Sequence, residues 1–577
     1  MSKYAYYDVR EIKDLRDMLY QSSRLYADST ALKIKRETGA PYEDITYRRL
    51  RQEVDALGTA LMKLFDEGHQ YRIAIVANTR YEWYISYLST IIGNGVIIPI
   101  DRQLEPDEIH GMFERAKVDA VFFGQVEEPK IMQAIHDLDS LKYLFPYDDF
   151  KATAPEGIEV HSIVRLMQDG EEAVEAGDTR FFDVEIDPDE MRLMYFTSGT
   201  TARSKAVMHS HKTICSNIME MCRMVYIGSK DVFLSILPLN HSYEGTCGFL
   251  VPIYRGSTIA ICEGYRHIMR NLQESGATIM LLVPLIAETI HQQIMRKLQA
   301  DPAVYKRFKR GRFLSDTLFK IGVDVRRKIF KQIHEAFGGH LRMLVSGGAA
   351  IDPQVLDDFE SLGLLAIQGY GLTEFAPLIA VNRDIKKKSH SAGLPTPLTD
   401  VRVDEPDEDG IGEIVATSPS LMLGYYEDEE ATSKAMRDGY FHTSDLGYID
   451  NEGFIILTGR KQNLIVNKAG KNIYPEELEF HFGKNEWIQE CIVTTEPAPR
   501  GEDLLVLEVY PNETLATETF GAGIELDSPF IEAEIDAIVR EGNEQLPVFK
   551  RIRKVNIRTE PFPKSTSQKI LRHRIGD

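Results

Sequence analysis

The chain has 577 residues, of which 43% are apolar and 27% are charged, a composition typical of a globular protein with a sizeable buried core. Its 88 Asp and Glu exceed its 67 Lys and Arg, and the net charge of −21 makes the average surface repel polyanions. These values exclude a small stapled module and a disordered protein. They argue against nucleic-acid binding, unless basic residues cluster in a local patch.

The cysteines and the first residues favour an intracellular protein. The five cysteines show no C-x-x-C spacing, which predicts neither a disulfide framework nor a zinc site: Cys215, Cys222, Cys247, Cys262 and Cys491. The N-terminal residues mix both charges without an apolar core, and no apolar run reaches the roughly 18 residues of a transmembrane helix. We therefore expect a cytoplasmic protein, with peripheral contact at the inner face of the membrane as an open alternative.

Short apolar runs alternate with longer amphipathic stretches through the first 390 residues. Helices are predicted at residues 81–92 and 105–116. They alternate with predicted strands, first at 72–77, 96–100 and 120–123, and then at 232–237, 258–262, 278–283, 343–345 and 364–368. Repeated βαβ units require mostly parallel sheets covered on both faces, so we expect an α/β body of two such subdomains.

The pattern changes near residue 390. Short strands at 400–403, 412–417 and 453–457 predict a small antiparallel or barrel-like subdomain over about residues 390–460. A strand, a helix and two further strands follow, at 464–466, 475–482, 488–494 and 504–510. We therefore place an N-terminal body at residues 1–460 and a smaller α+β domain at residues 461–577.

One segment departs from the acidic average. Residues 296–331 contain 12 Lys or Arg against three Asp, a local charge of +9. One interpretation is a solvated pair of helices. The other is a surface for anionic lipid headgroups or another polyanionic partner, supported by the Phe and Leu residues interspersed with the cations.

Residues 195–207 predict an anion-binding loop. They read Tyr-Phe-Thr-Ser-Gly-Thr-Thr-Ala-Arg-Ser-Lys-Ala-Val, and hydroxyl groups around a glycine, followed by Lys205, supply donors that can surround phosphates. No Walker A sequence occurs in the chain. By itself, this run is equally compatible with a Ser/Thr-rich surface turn.

Four more segments carry polar residues in turns or on loops. They are a G-x-G turn at 368–374, an Asp-bearing turn at 440–447, the stretch 458–473 and a Lys-bearing tail at 562–572. Each alone has a structural explanation, such as an Asx turn or a solvated tail.

Together, in this order and spacing, these segments resemble the adenylate-forming superfamily of acyl-CoA synthetases, luciferases and peptide-synthetase adenylation domains, over roughly residues 30–574. Residues 238–244, the turn at 346–349 and the basic insertion before it are most similar to bacterial long-chain fatty acyl-CoA synthetases. The resemblance implies an AMP-forming acid–thiol ligase whose C-terminal domain is mobile. Its substrates would be a medium- to long-chain fatty acid, ATP and coenzyme A, and it would release AMP and pyrophosphate.

The resemblance also implies a role for individual residues. ATP contacts are implied for Thr197, Ser198, Gly199, Thr200, Thr201, Lys205, Gln368, Gly369, Tyr370, Gly371, Thr373, Asp445, Arg460 and Lys569. Among these, Tyr370 would stack on adenine, Asp445 and Arg460 would hold the ribose, and Lys569 would bridge the substrate carboxylate and the α-phosphate. Glu374 and Thr200 would hold Mg²⁺. His241, Gly348 and Ala349 would lie near the acyl group, Gln462 at the hinge and Gly470 at the thiol channel.

Some positions depart from the superfamily pattern. Ala202, Ser204 and Ala206 stand where Gly, Pro and Gly are commoner, and Gln462 replaces the usual hinge Asp or Lys. Gln568 precedes the final lysine in place of Gly.

Two other functions stay open from the sequence. The chain could load an acyl or aminoacyl group onto the phosphopantetheine of a carrier protein, or it could be a non-catalytic nucleotide-binding or peripheral membrane protein. Retention of Lys205, Glu374, Asp445, Arg460 and Lys569 argues against the latter. The acyl chain length, the acceptor and the oligomeric state do not follow from the sequence.

Overall fold

The computed structural model describes residues 5–66, 68–197, 204–467, 471–497, 504–564, 570 and 572. Up to residue 197, its helices and strands are α1 Leu15–Leu25, β1 Thr30–Ile34, β2 Glu43–Thr46, α2 Tyr47–Leu64, β3 Tyr71–Val76, α3 Tyr81–Ile91, β4 Gly95–Pro99, α4 Pro106–Ala116, β5 Ala120–Phe123, α5 Glu128–Ala134, β6 Tyr143–Pro146, β7 Glu159–Val160, α6 Ile163–Glu175, α7 Arg180–Asp183 and β8 Met191–Thr197.

Between residues 204 and 400 a π-helix, Tyr243–Leu250, accompanies the regular elements. These are β9 Lys205–Ser210, α8 His211–Met224, β10 Val232–Ser235, α9 Val251–Arg255, β11 Thr258–Ile261, α10 Ile268–Ser275, β12 Ile279–Leu282, α11 Pro284–Gln299, α12 Pro302–Lys320, α13 Arg326–Ile329, α14 Lys331–Ala336, β13 Met343–Ser346, α15 Pro353–Ser361, β14 Leu365–Gly371, β15 Leu378–Val381 and β16 Leu394–Pro395.

The remaining elements are mostly strands. They are β17 Asp400–Asp404, β18 Gly412–Thr417, β19 Gly424–Tyr425, α16 Glu429–Ala435, β20 Met436–Arg437, β21 Tyr440–Ile449, β22 Ile455–Arg460, β23 Ile465–Val466, β24 Asn472–Ile473, α17 Pro475–Gly483, β25 Ile488–Glu496, β26 Leu504–Pro511, α18 Glu513–Phe520, α19 Pro529–Glu544 and β27 Lys554–Ile557. The predicted strands and helices of all three regions are confirmed to within a few residues.

The chain forms two compact units. The first comprises residues 1–400 and 417–437, and the second comprises residues 401–416 and 438–577. Most of the predicted β-rich subdomain therefore belongs, by its contacts, to the second unit. The boundary at residue 460 was predicted from motifs, and it stays a prediction.

The first unit contains two mixed sheets. Among the described residues, the strand orders are β16-β15-β14-β13-β12-β10-β11-β1-β2 and β19-β9-β8-β4-β3-β5-β6-β7. The central pairs are parallel. Antiparallel pairs lie toward the other edges, as at β14–β15 and β8–β9, whereas the edge pair β6–β7 is parallel. The α/β class predicted from the βαβ rhythm is thereby confirmed.

Apolar residues cover both faces of these sheets. Strands β3, β4 and β5 are buried along almost their whole length, because helices pack on each side. Helix α3 meets the π-helix through aromatic rings, with the Tyr84 and Phe249 centroids 4.8 Å apart. The rings therefore link a helix of one sheet to the segment that follows strand β10 of the other.

The second unit is built from antiparallel and mixed sheets. Strand β21 pairs antiparallel with β18 and with β22, in agreement with the antiparallel subdomain predicted from the short strands. Further along, β26 pairs antiparallel with β25 and parallel with β27, and α17 and α19 contribute Leu478, Phe482 and Ile535 to the adjoining core. This α+β arrangement is also as predicted.

A membrane-spanning helix would need a long, continuous apolar run. No helix within the described ranges is both long and apolar enough to cross a bilayer.

Candidate active site

The predicted phosphate loop connects two paired strands. Thr197, the last residue of β8, lies opposite Lys205, the first residue of β9, in an antiparallel register. Residues 198–203 lie outside the described residues, and with them Ser198, Gly199, Thr200 and Thr201. The hairpin nevertheless fixes both ends of the loop, so Thr197 and Lys205 stand side by side at its base.

Glu374 lies close to this hairpin. Its carboxylate oxygen Oε1 accepts a hydrogen bond of 2.8 Å from the hydroxyl of Tyr425, and the ammonium of Lys205 lies 4.6 Å from the centre of the Tyr425 ring. Burial and the neighbouring Glu374 charge raise the pKa of Tyr425, so its hydroxyl stays a donor. Tyr425 therefore holds two charged groups: the cation of Lys205 lies over its ring, and the half-buried carboxylate of Glu374 accepts from its hydroxyl.

Backbone hydrogen bonds hold this arrangement together. The N–H of Met422 donates to the carbonyl of Glu374 at 2.7 Å, and that of Leu423 donates to Met208 at 2.9 Å. Nε2 of His209 donates to the carbonyl of Thr373 at 2.7 Å. Burial lowers the pKa of His209 to about 4, so this imidazole is neutral near pH 7.

The fold itself requires a glycine at position 371 of the G-x-G turn. A Cβ on Gly371 would lie 2.1 Å from the carbonyl oxygen of Pro377, so the return of the chain into β15 excludes any larger residue there. Tyr370 is only 8% exposed. The side-chain amide of Gln368 donates to the carbonyls of Ser389 and Ser391, at 2.8 Å each.

In the second unit, the two residues predicted to hold the ribose form a cross-strand pair. Asp445 on β21 lies opposite Arg460 on β22, and Nε of Arg460 is 3.0 Å from Oδ1 of Asp445. The carboxylate is buried, whereas the arginine is half-exposed. An ion pair at the edge of solvent presents both an acceptor and a donor to a diol.

A second charged cluster lies beside this pair. Glu413 accepts hydrogen bonds from Lys461 at 2.8 Å and from the backbone N–H of Ser444 at 3.0 Å, and it also contacts His442 at 3.2 Å. Burial alone would raise the pKa of Glu413, but its hydrogen bonds outweigh burial and lower it. Gln462, the predicted hinge residue, is exposed on the turn just after Lys461.

The residues predicted near the acyl group lie in the first unit. His241 is half-buried, and its carbonyl accepts from Gly245 N–H at the start of the π-helix. Gly348 and Ala349 are exposed just past the carboxyl end of β13. Gly470 and Lys569 lie outside the described residues.

Glu244, the second residue of the π-helix, is a buried acid that ends the 238–244 motif and to which the resemblance assigned no role. It is 1% exposed, and its Oε1 accepts from the hydroxyl of Ser235 at 2.6 Å. A Cβ on Gly248 would come within 2.5 Å of its carboxyl group, so that glycine leaves the space the acid occupies. Burial raises the pKa of Glu244 to about 8, and the group is therefore mostly protonated near pH 7.

Tyr425 and His209 also escaped prediction. Both are ordinary residues of strands, β19 and β9, and neither stands in a motif with phosphate or metal chemistry. Their contacts with residues 373 and 374 are made between segments about 50 to 160 positions apart in sequence. No local signal could have found them.

The profile of the AMP-binding enzyme family matches residues 19–426. The chain belongs to this family.

Curated relatives of this AMP-binding enzyme include long chain acyl-CoA synthetase 1 of Arabidopsis thaliana. It is 27% identical over 605 residues, covering 96% of this chain and 88% of the relative. A chloroplastic long-chain-fatty-acid–acyl-carrier-protein ligase of the same plant is 24% identical, covering 84% of this chain and 75% of the relative.

Among solved structures, ATP-bound MatB from Rhodopseudomonas palustris aligns with a TM-score of 0.73 at 20% identity, covering 97% of this chain and 98% of that one. o-Succinylbenzoate CoA synthetase from Bacillus subtilis, in complex with an acyl-adenylate intermediate, aligns with a TM-score of 0.72 at 18% identity, with coverage of 97% and 98%. These likenesses agree with the α/β fold of the AMP-binding enzyme described above.

The protonation of Glu244 makes the stability of this AMP-binding enzyme depend on pH. The native carboxyl keeps its proton up to about pH 8, whereas an unfolded glutamate loses it near 4.5. Between these values the native state binds more protons, so the free energy of unfolding falls as pH rises. We expect the Tm of Glu244→Gln, relative to wild type, to increase between pH 5 and pH 8 in thermal melts. Parallel Tm curves for the two proteins would contradict this.

Proposed function

We propose that this enzyme activates a long-chain fatty acid with ATP and transfers it to coenzyme A. The proposal rests on family membership, on relatives named long-chain acyl-CoA synthetases and on the charge arrangement around Glu374. The observation that carries it is the Lys205–Tyr425–Glu374 assembly at the base of the phosphate loop.

In the first step, an oxygen of the substrate carboxylate would attack the α-phosphorus of ATP. The P–O bond to the β-phosphate would break, giving an acyl adenylate and pyrophosphate. Because two anions must meet, the barrier falls when fixed cations and donors face the developing charge. Lys205 would supply a cation at the phosphate loop, and Lys569 would bridge carboxylate and α-phosphate.

The residues present fit a magnesium ion. Mg²⁺ takes hard oxygen ligands, and Glu374 offers one: within the described residues, no hydrogen bond reaches its Oε2. Thr200 would be the hydroxyl ligand proposed from the resemblance. When bound, the ion would neutralise phosphate charge. Tyr425 would orient the Glu374 carboxylate by occupying Oε1.

In the second step, the thiol of coenzyme A would attack the acyl carbonyl. The C–O bond to phosphate would break, the thiol proton would pass to solvent or base, and AMP would leave. Asp445 and Arg460 would hold the ribose hydroxyls of the nucleotide, and Tyr370 would contact adenine. Gln462 would serve as hinge and Gly470 would give the pantetheine arm a close passage.

Transfer to a carrier protein is the second candidate for the acceptor. It is favoured by the relative named as a ligase to acyl-carrier protein. The two candidates share the adenylation step and differ only in the thiol that attacks.

A panel of acids and the two acceptors tests the proposed function. We expect ATP–pyrophosphate exchange to be fastest with long-chain fatty acids and slow with acetate and amino acids, and thioester to form with coenzyme A. Exchange with every acid at background level would overturn the proposal. Thioester formed only with phosphopantetheinylated carrier protein would favour the second candidate.

The role of Tyr425 can be tested by removing only its hydroxyl. In Tyr425→Phe the ring stays over Lys205, but Glu374 loses its donor, and a hydrogen bond to a charged group is worth about 1.5–3 kcal/mol. We expect the Mg²⁺ concentration for half-maximal pyrophosphate exchange to rise roughly ten-fold or more. Tyr426→Phe is the matched control, because the Tyr426 hydroxyl accepts from Arg72 instead. An equal effect of both changes would contradict an orienting role.

Lys569 is proposed to act in one half-reaction only. Removing a donor that stabilises transition-state charge slows a reaction by about 10²–10³-fold, so Lys569→Ala should lose acyl-adenylate formation to that extent. Thioester formation from a supplied acyl adenylate should persist. Lys554→Ala serves as control, since Lys554 is paired with Glu496 on the same domain. Equal loss of both half-reactions in Lys569→Ala would refute the assigned role.

A further inference from the structure

The basic segment predicted from sequence forms an apolar and cationic helix face. Along α12, the positions facing solvent recur at helical spacing: Lys306, Arg307, Lys309, Arg310, Phe313, Leu314, Thr317 and Lys320. Phe313 is 76% exposed and Leu314 is 53% exposed, and Ile321, just after the helix, is 71% exposed. The outer face of a helix in a water-soluble protein is normally polar, so these side chains require an explanation.

The opposite face of α12 packs against the rest of the first unit. Phe308 packs on Phe330 with ring centroids 5.5 Å apart, and Ser315 is fully buried. Arg312 pairs with Asp358 at 2.7 Å, and Asp301 caps the helix N-terminus. The packing of α12 on the first unit therefore does not use the exposed apolar residues.

Most cations of this segment make no ion pair with a described residue. Arg312, Arg326 and Lys331 make ion pairs, and Arg327 donates to backbone carbonyls. In the part of the chain that the structure describes, no ion pair is made by the others: Arg296, Lys297, Lys306, Arg307, Lys309, Arg310, Lys320 and Lys328. Five of these eight cations lie on the solvent face of α12, and in a chain of net charge −21 they make this face attractive to anions.

We propose that the solvent face of α12, together with Ile321 and Val323, docks on an anionic lipid surface. Interfacial binding combines apolar side chains inserted at the headgroup boundary with cations that attract anionic lipids, and this face carries both. Val323, 47% exposed, extends the apolar set beyond the helix end.

An acidic protein partner would complement the positive charge of this face, but it fits the exposed apolar side chains less well than lipid does. Phe313 and Leu314 are exposed on the outer face of α12, and a protein partner would need a pocket for each. A fluid headgroup layer accommodates protruding side chains without a complementary cavity, so the apolar residues favour lipid. This inference is independent of the proposed function, since binding to vesicles requires neither ATP nor acyl substrate.

Vesicle flotation of the full chain tests the proposal. Vesicles of phosphatidylcholine with about 30% phosphatidylglycerol should carry the wild type at about 0.1 M salt, and release it at about 1 M salt, where screening is short-ranged. Vesicles of phosphatidylcholine alone should not carry it. Each surface cation contributes about 1 kcal/mol, a factor of about five, so Lys306→Gln with Lys309→Gln and Lys320→Gln should weaken binding roughly a hundred-fold.

Matched variants separate the face from the overall charge. Lys63, Lys142 and Lys230 are exposed elsewhere on the first unit, and changing all three to Gln alters the net charge equally. We expect that control to bind like wild type. Phe313→Ser with Leu314→Ser should also weaken binding at unchanged Tm, whereas Val126→Ser with Val164→Ser, both exposed at other sites, should not.

Two outcomes would overturn the proposal. The first is absence of wild-type binding to the anionic vesicles. If capture of an acidic acyl carrier protein that depends on Lys306, Lys309 and Lys320 accompanies that absence, the face is assigned to a protein partner. The second outcome is an equal loss of binding in the Lys63, Lys142 and Lys230 control.

Discussion

The candidate active site depends on one hydrogen bond between distant segments, from the hydroxyl of Tyr425 to the carboxylate of Glu374. Strand β19 brings Tyr425 alongside β9, the strand that starts with Lys205, and backbone bonds from residues 422 and 423 hold that placement. Three segments that are far apart in the sequence are thereby fixed against one another. A site that must bind several phosphates needs such rigidity, because preorganised charges stabilise a transition state without rearranging.

The charged residues form local arrangements in a protein whose net charge is negative. In the first unit Lys205 faces the Tyr425 ring, and in the second unit Asp445 partners Arg460, so each of these charges is held by a neighbour. On the solvent face of α12, Lys306, Arg307, Lys309, Arg310 and Lys320 make no ion pair within the described residues, and they stand among exposed apolar side chains. The first pattern suits small anions held in fixed geometry, and the second suits an extended anionic surface where geometry is not specified.

Buried polar groups set a further constraint on the first unit. Glu244 and His209 are both enclosed, and burial moves their pKa values in opposite directions, so each is neutral near pH 7. Neutral forms make hydrogen bonds without the penalty of a buried charge. They position the π-helix and the Thr373 carbonyl, two elements on which the predicted acyl and phosphate contacts depend.

Much of this protein could be predicted from its sequence, because strand and helix periodicities and turn residues are local properties. The βαβ rhythm, the antiparallel strands around residues 400–460 and the α+β character of the C-terminal residues were all predicted and confirmed. Family membership was also predicted, since Thr197, Lys205, Glu374, Asp445 and Arg460 stand in short motifs in a specific order. The charge of +9 in residues 296–331 was equally visible.

Tertiary structure alone decided how these residues are supported. The contacts of Tyr425 and His209 with residues 373 and 374 join strands β19 and β9 of one sheet to the turn that follows β14 of the other, and no sequence spacing encodes such a contact. It also showed that Gly371 is required by the nearby carbonyl of Pro377, and that Phe313 and Leu314 face solvent while Phe308 is packed. Sequence determines which side chains are available at each element. Which of them meet, and which remain exposed, depends on packing between elements far apart in the chain.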